Sequence, residues 1–289
     1  PADAPEAPAR WRAGAFAAWL VEDPDADALQ ALAGQAGRSY APQLARLPEL
    51  LKGAPRPAHG DDPAQARRIA AASRLTHGRT LAALRRVPGA DRARHLLDLG
   101  CGQAATLAAL LARRRDARGV GVELDPAVAE EARERLREAG VSRRGRVEVG
   151  DVLRMPLAER GFDLVLVSHL FPYFDADERD ALLRRAHGLL APGGVVAIQT
   201  PCAEGPAWAR RAGLLGSVAA FDLFLRTHRD LHGLPTPGEL RGRLADAGFG
   251  ETGEVAVLPG GLLRIVWGRV PRADRSGEDR AIGCSRAGT

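Results

Sequence analysis

Lysine, cysteine, methionine and aromatic side chains are all scarce in this 289-residue chain. Three cysteines, Cys101, Cys202 and Cys284, are too few and too scattered for a disulfide framework or a four-ligand zinc site. No stretch approaches the roughly 20 consecutive apolar residues of a membrane span. The opening Pro1-Ala2-Asp3-Ala4-Pro5 has neither the basic nor the apolar region of a secretory signal. These absences set the expectation of a soluble, cytoplasmic protein with no membrane partner. Lys52 is the only lysine among 41 basic residues, so the net charge of +5 is carried by arginine, as in a GC-rich coding sequence. The arginines alternate with acids, as in Glu130-Glu131-Ala132-Arg133-Glu134-Arg135, which reads as a solvated helix face with pairs four apart. With aromatics at 4% and no basic block interleaved with them, a nucleic-acid partner is not expected.

What is present suits a folded enzyme-sized unit. A hydrophobic fraction of 45% with 27% charged residues excludes wholesale disorder. The length fits one large domain or a domain with a cap. Residues 1–62 hold short amphipathic segments at 11–20, 26–32 and 40–51, separated by Pro and Gly, and predict a helical cap. Residues 63–270 begin with a helix running to about residue 87 and then alternate strand and helix. Strands are predicted at 96–99, 120–124, 147–149, 164–168, 195–200, 254–258 and 262–270. Helices are predicted at 104–114, from Pro126 behind an Asp125 cap, at 175–190 behind an Asp175/Glu178 capping box, at 206–231, and from Pro237 behind a Thr236/Glu239 box. Residues 271–289 read as a loose polar tail. Alternation of this kind gives a mostly parallel sheet covered on both faces, whose ligand site lies beyond the carboxyl ends of the strands.

The informative residues fall at those ends. Leu97-Asp98-Leu99-Gly100-Cys101-Gly102 is a tight glycine turn between the first strand and a helix, where backbone approaches a ligand closely. By itself Gly100-Cys101-Gly102-Gln103-Ala104-Ala105 also satisfies a relaxed dinucleotide fingerprint. Glu123 ends the second strand, where an acid accepts ribose hydroxyls. Asp151 ends the third, placed for an exocyclic adenine amine. Asp98 separates the cofactors. A dinucleotide would put its diphosphate against this carboxylate, whereas S-adenosylmethionine brings an ammonium and a sulfonium. One such attraction at about 4 Å is worth roughly 4 kcal/mol before desolvation. S-adenosylmethionine is therefore the expected cofactor, and a nicotinamide-dependent oxidoreductase is disfavoured.

Taken in order, Leu96-Leu97-Asp98-Leu99-Gly100-Cys101-Gly102, Gly121-Val122-Glu123-Leu124-Asp125, Gly150-Asp151-Val152, Phe162-Asp163-Leu164-Val165-Leu166 and Leu189-Leu190-Ala191-Pro192-Gly193-Gly194 resemble the class I S-adenosylmethionine-dependent methyltransferases over about residues 63–270. The resemblance implies a Rossmann-like α/β fold: a seven-stranded, mostly parallel sheet with an antiparallel last strand. It further implies a cofactor set of Asp98, Gly100, Gly102, Glu123, Leu124, Asp151, Val152 and Ser168. Ala104 departs from it, standing where the family often has a third glycine.

The acceptor side is less legible. His169, just after the fourth strand, is the titratable group expected nearest the methyl and is the candidate base. Small-molecule O-methyltransferases that this stretch resembles carry their histidine at the position of Pro172, so that base does not transfer. Tyr173, Trp208, Phe221 and His228 are the expected acceptor pocket, with Phe16 and Trp19 as further aromatics. His228 and His232, four apart on an expected helix, would share a face with a metal-binding spacing, although no metal is expected. Cys202 reads as a small buried residue. The expected function is methyl transfer to a small-molecule hydroxyl or phenol in natural-product biosynthesis, by a monomer or homodimer. C-methylation of an activated carbon and a non-catalytic cofactor-binding scaffold are the alternatives.

Overall fold

The computed structural model describes residues 36–59, 65–205, 215–258 and 263–272, together with residues 30, 34 and 261. Most of the expected cap and tail, with Phe16, Trp19 and Trp208, lies outside the described residues. Seven strands form one sheet: β1 (His95–Leu99), β2 (Arg118–Glu123), β3 (Gly145–Val149), β4 (Phe162–Ser168), β5 (Leu190–Pro201), β6 (Glu251–Ala256) and β7 (Leu263–Arg269). Their order is β3-β2-β1-β4-β5-β7-β6. β1 to β5 are parallel, and β7 runs antiparallel to both β5 and β6. The chain order reverses between β1 and β4, which opens the ligand crevice there.

Alternate strand residues feed two cores, as a period of two requires. On one face Leu96, Leu164, Leu166, Val195 and Ile265 pack with Leu107 and Leu111 of α4 (Ala105–Arg113) and with Leu81 and Leu84 at the end of α3 (Gln65–Leu84). α5 (Pro126–Glu138) covers the same side. On the other face Leu97, Leu99, Val165, Val167 and Ile198 meet Leu182, Leu183 and Ala186 of α6 (Ala176–Leu189). The last helix, Pro237–Asp246 (α8), adds Leu240 and Leu244 there. The described part of the N-terminal segment consists of a π-turn at Ala36–Tyr40 and two short helices, α1 (Ala41–Ala45) and α2 (Leu47–Leu51). It packs through Tyr40 onto Phe221 and Phe224 of α7 (Leu215–Arg226), with ring centroids 5.8 and 4.2 Å apart.

Two expectations shift. Pro192-Gly193-Gly194 is an irregular extended lead-in to β5, bonded to Val270 through Gly193 and Gly194, and not a turn before it. The helix expected to run to residue 231 stops at Arg226. There the Thr227 hydroxyl takes the Phe224 carbonyl at 2.6 Å, and the Thr227 and His228 amides fold back in short turns. His228 and His232 therefore do not share a helical face, and the His232 amide bonds the Pro172 carbonyl instead.

Asp175 and Glu178 form the complete reciprocal box at the start of α6. Asp175→Ala is expected to lower global stability by about 1 kcal/mol in urea unfolding, with the m-value unchanged.

Candidate active site

A cavity of about 880 Å³ opens at the carboxyl ends of β1, β2, β3, β4 and β5. Asp98, Gly100, Gly102, Glu123, Leu124, Asp151, Val152, Ser168, His169 and Tyr173 all line it, so the residues read from four separate strand ends converge on one space. Phe221 and His228 do not. Phe221 is stacked on Phe224 beside Tyr40. His228 is buried, with its Nδ1 on the Phe224 carbonyl at 3.1 Å and its ring edge-on to Phe224 and His59. Both rings pack against the N-terminal segment, Phe221 from within α7 and His228 from the turn after it.

The glycine turn is set by backbone geometry. Gly100 and Gly102 have φ of 69° and 53°, and a Cβ on Gly100 would meet Leu170 at 2.9 Å. Ala104, where a third glycine was expected, also holds a left-handed φ of 54°, which is strained for a side-chain-bearing residue. Its Cβ is fully buried in the core under the turn. His169 is the other described non-glycine residue with positive φ, at 56°. Both strained residues flank the same crevice, the usual place for stored strain.

The carboxylates differ in their partners. Glu123 accepts the Gly102 amide at 2.9 Å through Oε2, and the Leu124 and Asp125 amides at 2.9 and 3.1 Å through Oε1. It thus ties the glycine turn to the end of β2 at the cavity wall. Asp151 accepts the Leu153 amide and pairs with Arg154 at 2.8 Å. Asp98 has no such support. It is 2% exposed, and its Oδ1 receives no hydrogen bond. Desolvation, reinforced by Glu123, pushes its carboxyl up to about 7. An orphaned buried carboxyl of this kind fits a cationic ligand and would repel a phosphate. The donor set therefore suits S-adenosylmethionine: Asp98 for its positive charges, Glu123 for its ribose and Asp151 for its adenine.

His169 is half-buried, and desolvation pushes its imidazole down to about 4. The ring is neutral near pH 7, and its Nε2 accepts the Gln199 side-chain amide at 2.9 Å. The Nε2 lone pair, which a base would use, is thereby engaged by Gln199 in this geometry. Cys202 is buried outside the cavity lining, with its thiol pushed up to about 12 by desolvation, which suits the packing role expected for it.

Gln199, Asp230 and His77 line the cavity without having been singled out in the sequence, and Glu178, read there only as a helix cap, joins them. A polar residue closing the apolar run Val195-Val196-Ala197-Ile198 was the available signal for Gln199. Asp230 had none, since only the tertiary fold brings its loop to the crevice.

Asp98 gives a pH signature. Below about 4 its carboxyl is protonated in both folded and unfolded chains. Between about 4 and 7 only the unfolded chain has released the proton, so the ligand-free protein loses stability as pH rises and levels off above. The span is of the order of 4 kcal/mol, and urea midpoints of Asp98→Asn are expected to lack that part of the profile. Ala104→Gly is expected to raise stability by about 1 kcal/mol in the same assay, since glycine relieves the left-handed strain.

Residues 96–194 match the family model described as "Methyltransferase domain". Among curated relatives, the chain is 36% identical over 108 residues to a trans-aconitate 2-methyltransferase of Methylobacterium radiotolerans, covering 37% of this chain and 38% of that one. It is 32% identical over 123 residues to the tetracenomycin polyketide synthesis 8-O-methyl transferase of Streptomyces glaucescens, covering 43% and 34%. The chain thus spans well under half the length of these two relatives. The solved structure of mitomycin 7-O-methyltransferase superposes with a TM-score of 0.67 at 22% identity, over 89% of this chain and 76% of that one. The strand order, the glycine turn and the matched segment agree: residues 96–194 match a methyltransferase domain, and the chain shares the fold of solved methyltransferases.

Proposed function

We propose that the protein transfers a methyl group from S-adenosylmethionine to a hydroxyl or phenol of a small molecule in natural-product biosynthesis. The observation that carries this reading is the buried, unpartnered Asp98 at the turn after β1, on the same cavity as Glu123 and Asp151. The names of relatives include both carboxylate and hydroxyl acceptors. The cavity's acidic lining favours the second, because a carboxylate acceptor would meet like charge. The same acidic lining argues against nucleic acid. No helix among the described residues is long and apolar enough to cross a membrane, which is compatible with a cytoplasmic enzyme acting as a monomer or homodimer.

When bound, S-adenosylmethionine supplies a methyl carbon on a sulfonium, open to in-line displacement. Ionised Asp98 would hold its positive charge, the Gly100–Gly102 turn would let the backbone approach, and Glu123 and Asp151 would fix ribose and adenine. Leu124 and Val152 would flank the base, and Ser168 would close the floor at the end of β4. Tyr173 keeps its proton, since desolvation and the carboxylates of Asp230 and Glu123 push its phenol up to about 12, so it orients the acceptor as a hydrogen-bonding group. Catalysis in this reading rests on alignment more than on a dedicated base, consistent with Pro172 where the related histidine would stand.

Because a cation favours ionised Asp98, cofactor affinity is expected to weaken by up to about tenfold per pH unit below 7, with proton release on binding. Calorimetry in buffers of different ionisation enthalpy measures both. Asp98→Asn is expected to bind at least about tenfold more weakly and without that pH dependence. Transfer of label from S-[methyl-14C]adenosylmethionine to a phenol panel tests turnover. Absence of cofactor binding at pH 8 would sink the reading.

A further inference from the structure

The acceptor end of the cavity has a one-sided hydrogen-bonding character. Gln199, at the end of β5, is 5% exposed and lines the cavity. Its Nε2 donates to His169 Nε2 at 2.9 Å, and its main-chain carbonyl accepts the His169 amide at 2.8 Å. This double link engages one of the two amide protons with the histidine, while Oε1 is a buried acceptor with no hydrogen bond. A buried carbonyl oxygen without a donor is unfavourable until a ligand supplies one.

Asp230 lies on the loop after α7 and lines the same cavity. Its Oδ1 accepts the His59 amide at 2.7 Å. The loop around it is clamped on both sides: the Arg229 amide donates to the Pro57 carbonyl, and the His232 amide to the Pro172 carbonyl. Arg179 adds a third tie, donating to the carbonyls of Phe171 and Gly233 at 3.1 and 2.9 Å. Asp230 is thereby held in place, next to Tyr173 in the same wall. Opposite charge is scarce around it. Among the described lining residues Arg154 is the only arginine, and it is paired with Asp151 at the adenine end.

We propose that Gln199 and Asp230 form a hydrogen-bond-accepting recognition pair, so that the acceptor is an uncharged or cationic molecule bearing its own O–H or N–H donors, and polycarboxylates are excluded. This assignment rests on reading the cavity as a methyl-transfer site. His169 acts through Gln199 as a positioning residue. A ligand donor satisfies Oε1, and a carboxylate-bearing acceptor in the same cavity would meet the charge of Asp230 with no unpaired lining arginine to offset it.

The test uses three naphthalene probes of one shape, 2,6-dihydroxynaphthalene, 2,6-dimethoxynaphthalene and naphthalene-2,6-dicarboxylate. They are titrated calorimetrically into the protein saturated with S-adenosylhomocysteine. The diol is expected to bind about tenfold or more tightly than either of the others. Asp230→Asn is expected to narrow the gap to the dicarboxylate, and Gln199→Leu the gap to the dimethoxy compound, in variants whose thermal unfolding stays cooperative. Equal or tighter binding of the dicarboxylate, no preference over the dimethoxy probe, no binding of the diol, or gaps unchanged in both folded variants overturns the proposal. Should a variant fail to fold, the wild-type comparison still decides. Failure of S-adenosylhomocysteine to bind overturns the methyl-transfer reading and this inference with it. Its binding without the probe preference overturns this inference alone.

Discussion

Asp98 occupies a strand whose five residues are all buried, and nothing positively charged among the described residues lies within bonding reach of its free oxygen. Burial alone would drive such a carboxyl to its neutral form, and Glu123 nearby pushes in the same direction. The ligand-free fold therefore carries an unfavourable group at the centre of its crevice, and a cation in that crevice would relieve it. The surrounding architecture is arranged to keep this group in place. β1 is flanked by β2 and β4 in register, and both cores close over it.

Glu123 links that electrostatic demand to the backbone. Its two oxygens gather amides from the glycine turn and from the start of α5, so one side chain holds the turn at the height where a ligand would lie. The turn is in addition strained at Ala104, and the facing loop is strained at His169. Strain on both sides of a crevice persists only where packing over-determines the conformation. Here the buried Ala104 and the His169–Gln199 link supply that packing.

In the proposed reading, the acceptor wall is assembled differently from the cofactor floor. The floor comes from consecutive strand ends, whereas the wall joins the turn after β4, the loop after α7 and the segment before α3 through main-chain hydrogen bonds and Arg179. Cofactor chemistry is thus fixed by the sheet, and acceptor chemistry by loops that the sheet merely supports, which is how one fold serves many acceptors.

That division also explains what was legible. Strand periodicity, the Asp125, Asp175 and Thr236 caps and the Gly100–Gly102 turn are local signals, and they determined the order of elements, the parallel sheet and the three carboxylates at its rim. Local rules fail where distant segments decide. α7 ends at Arg226, where the Thr227 hydroxyl caps the Phe224 carbonyl, so His228 and His232 share no helical face, and Phe221 packs on Tyr40, a contact that only the closed chain makes. The state of His169 depends on burial and on a residue thirty positions away, which only the pairing of β4 with β5 brings to it. The sequence by itself determined the fold and the charge that the cofactor must carry, because period and strand-end position are written locally. Tertiary structure decided the acceptor wall and the protonation of its groups, because desolvation and long-range hydrogen bonds exist only once the chain has closed around them.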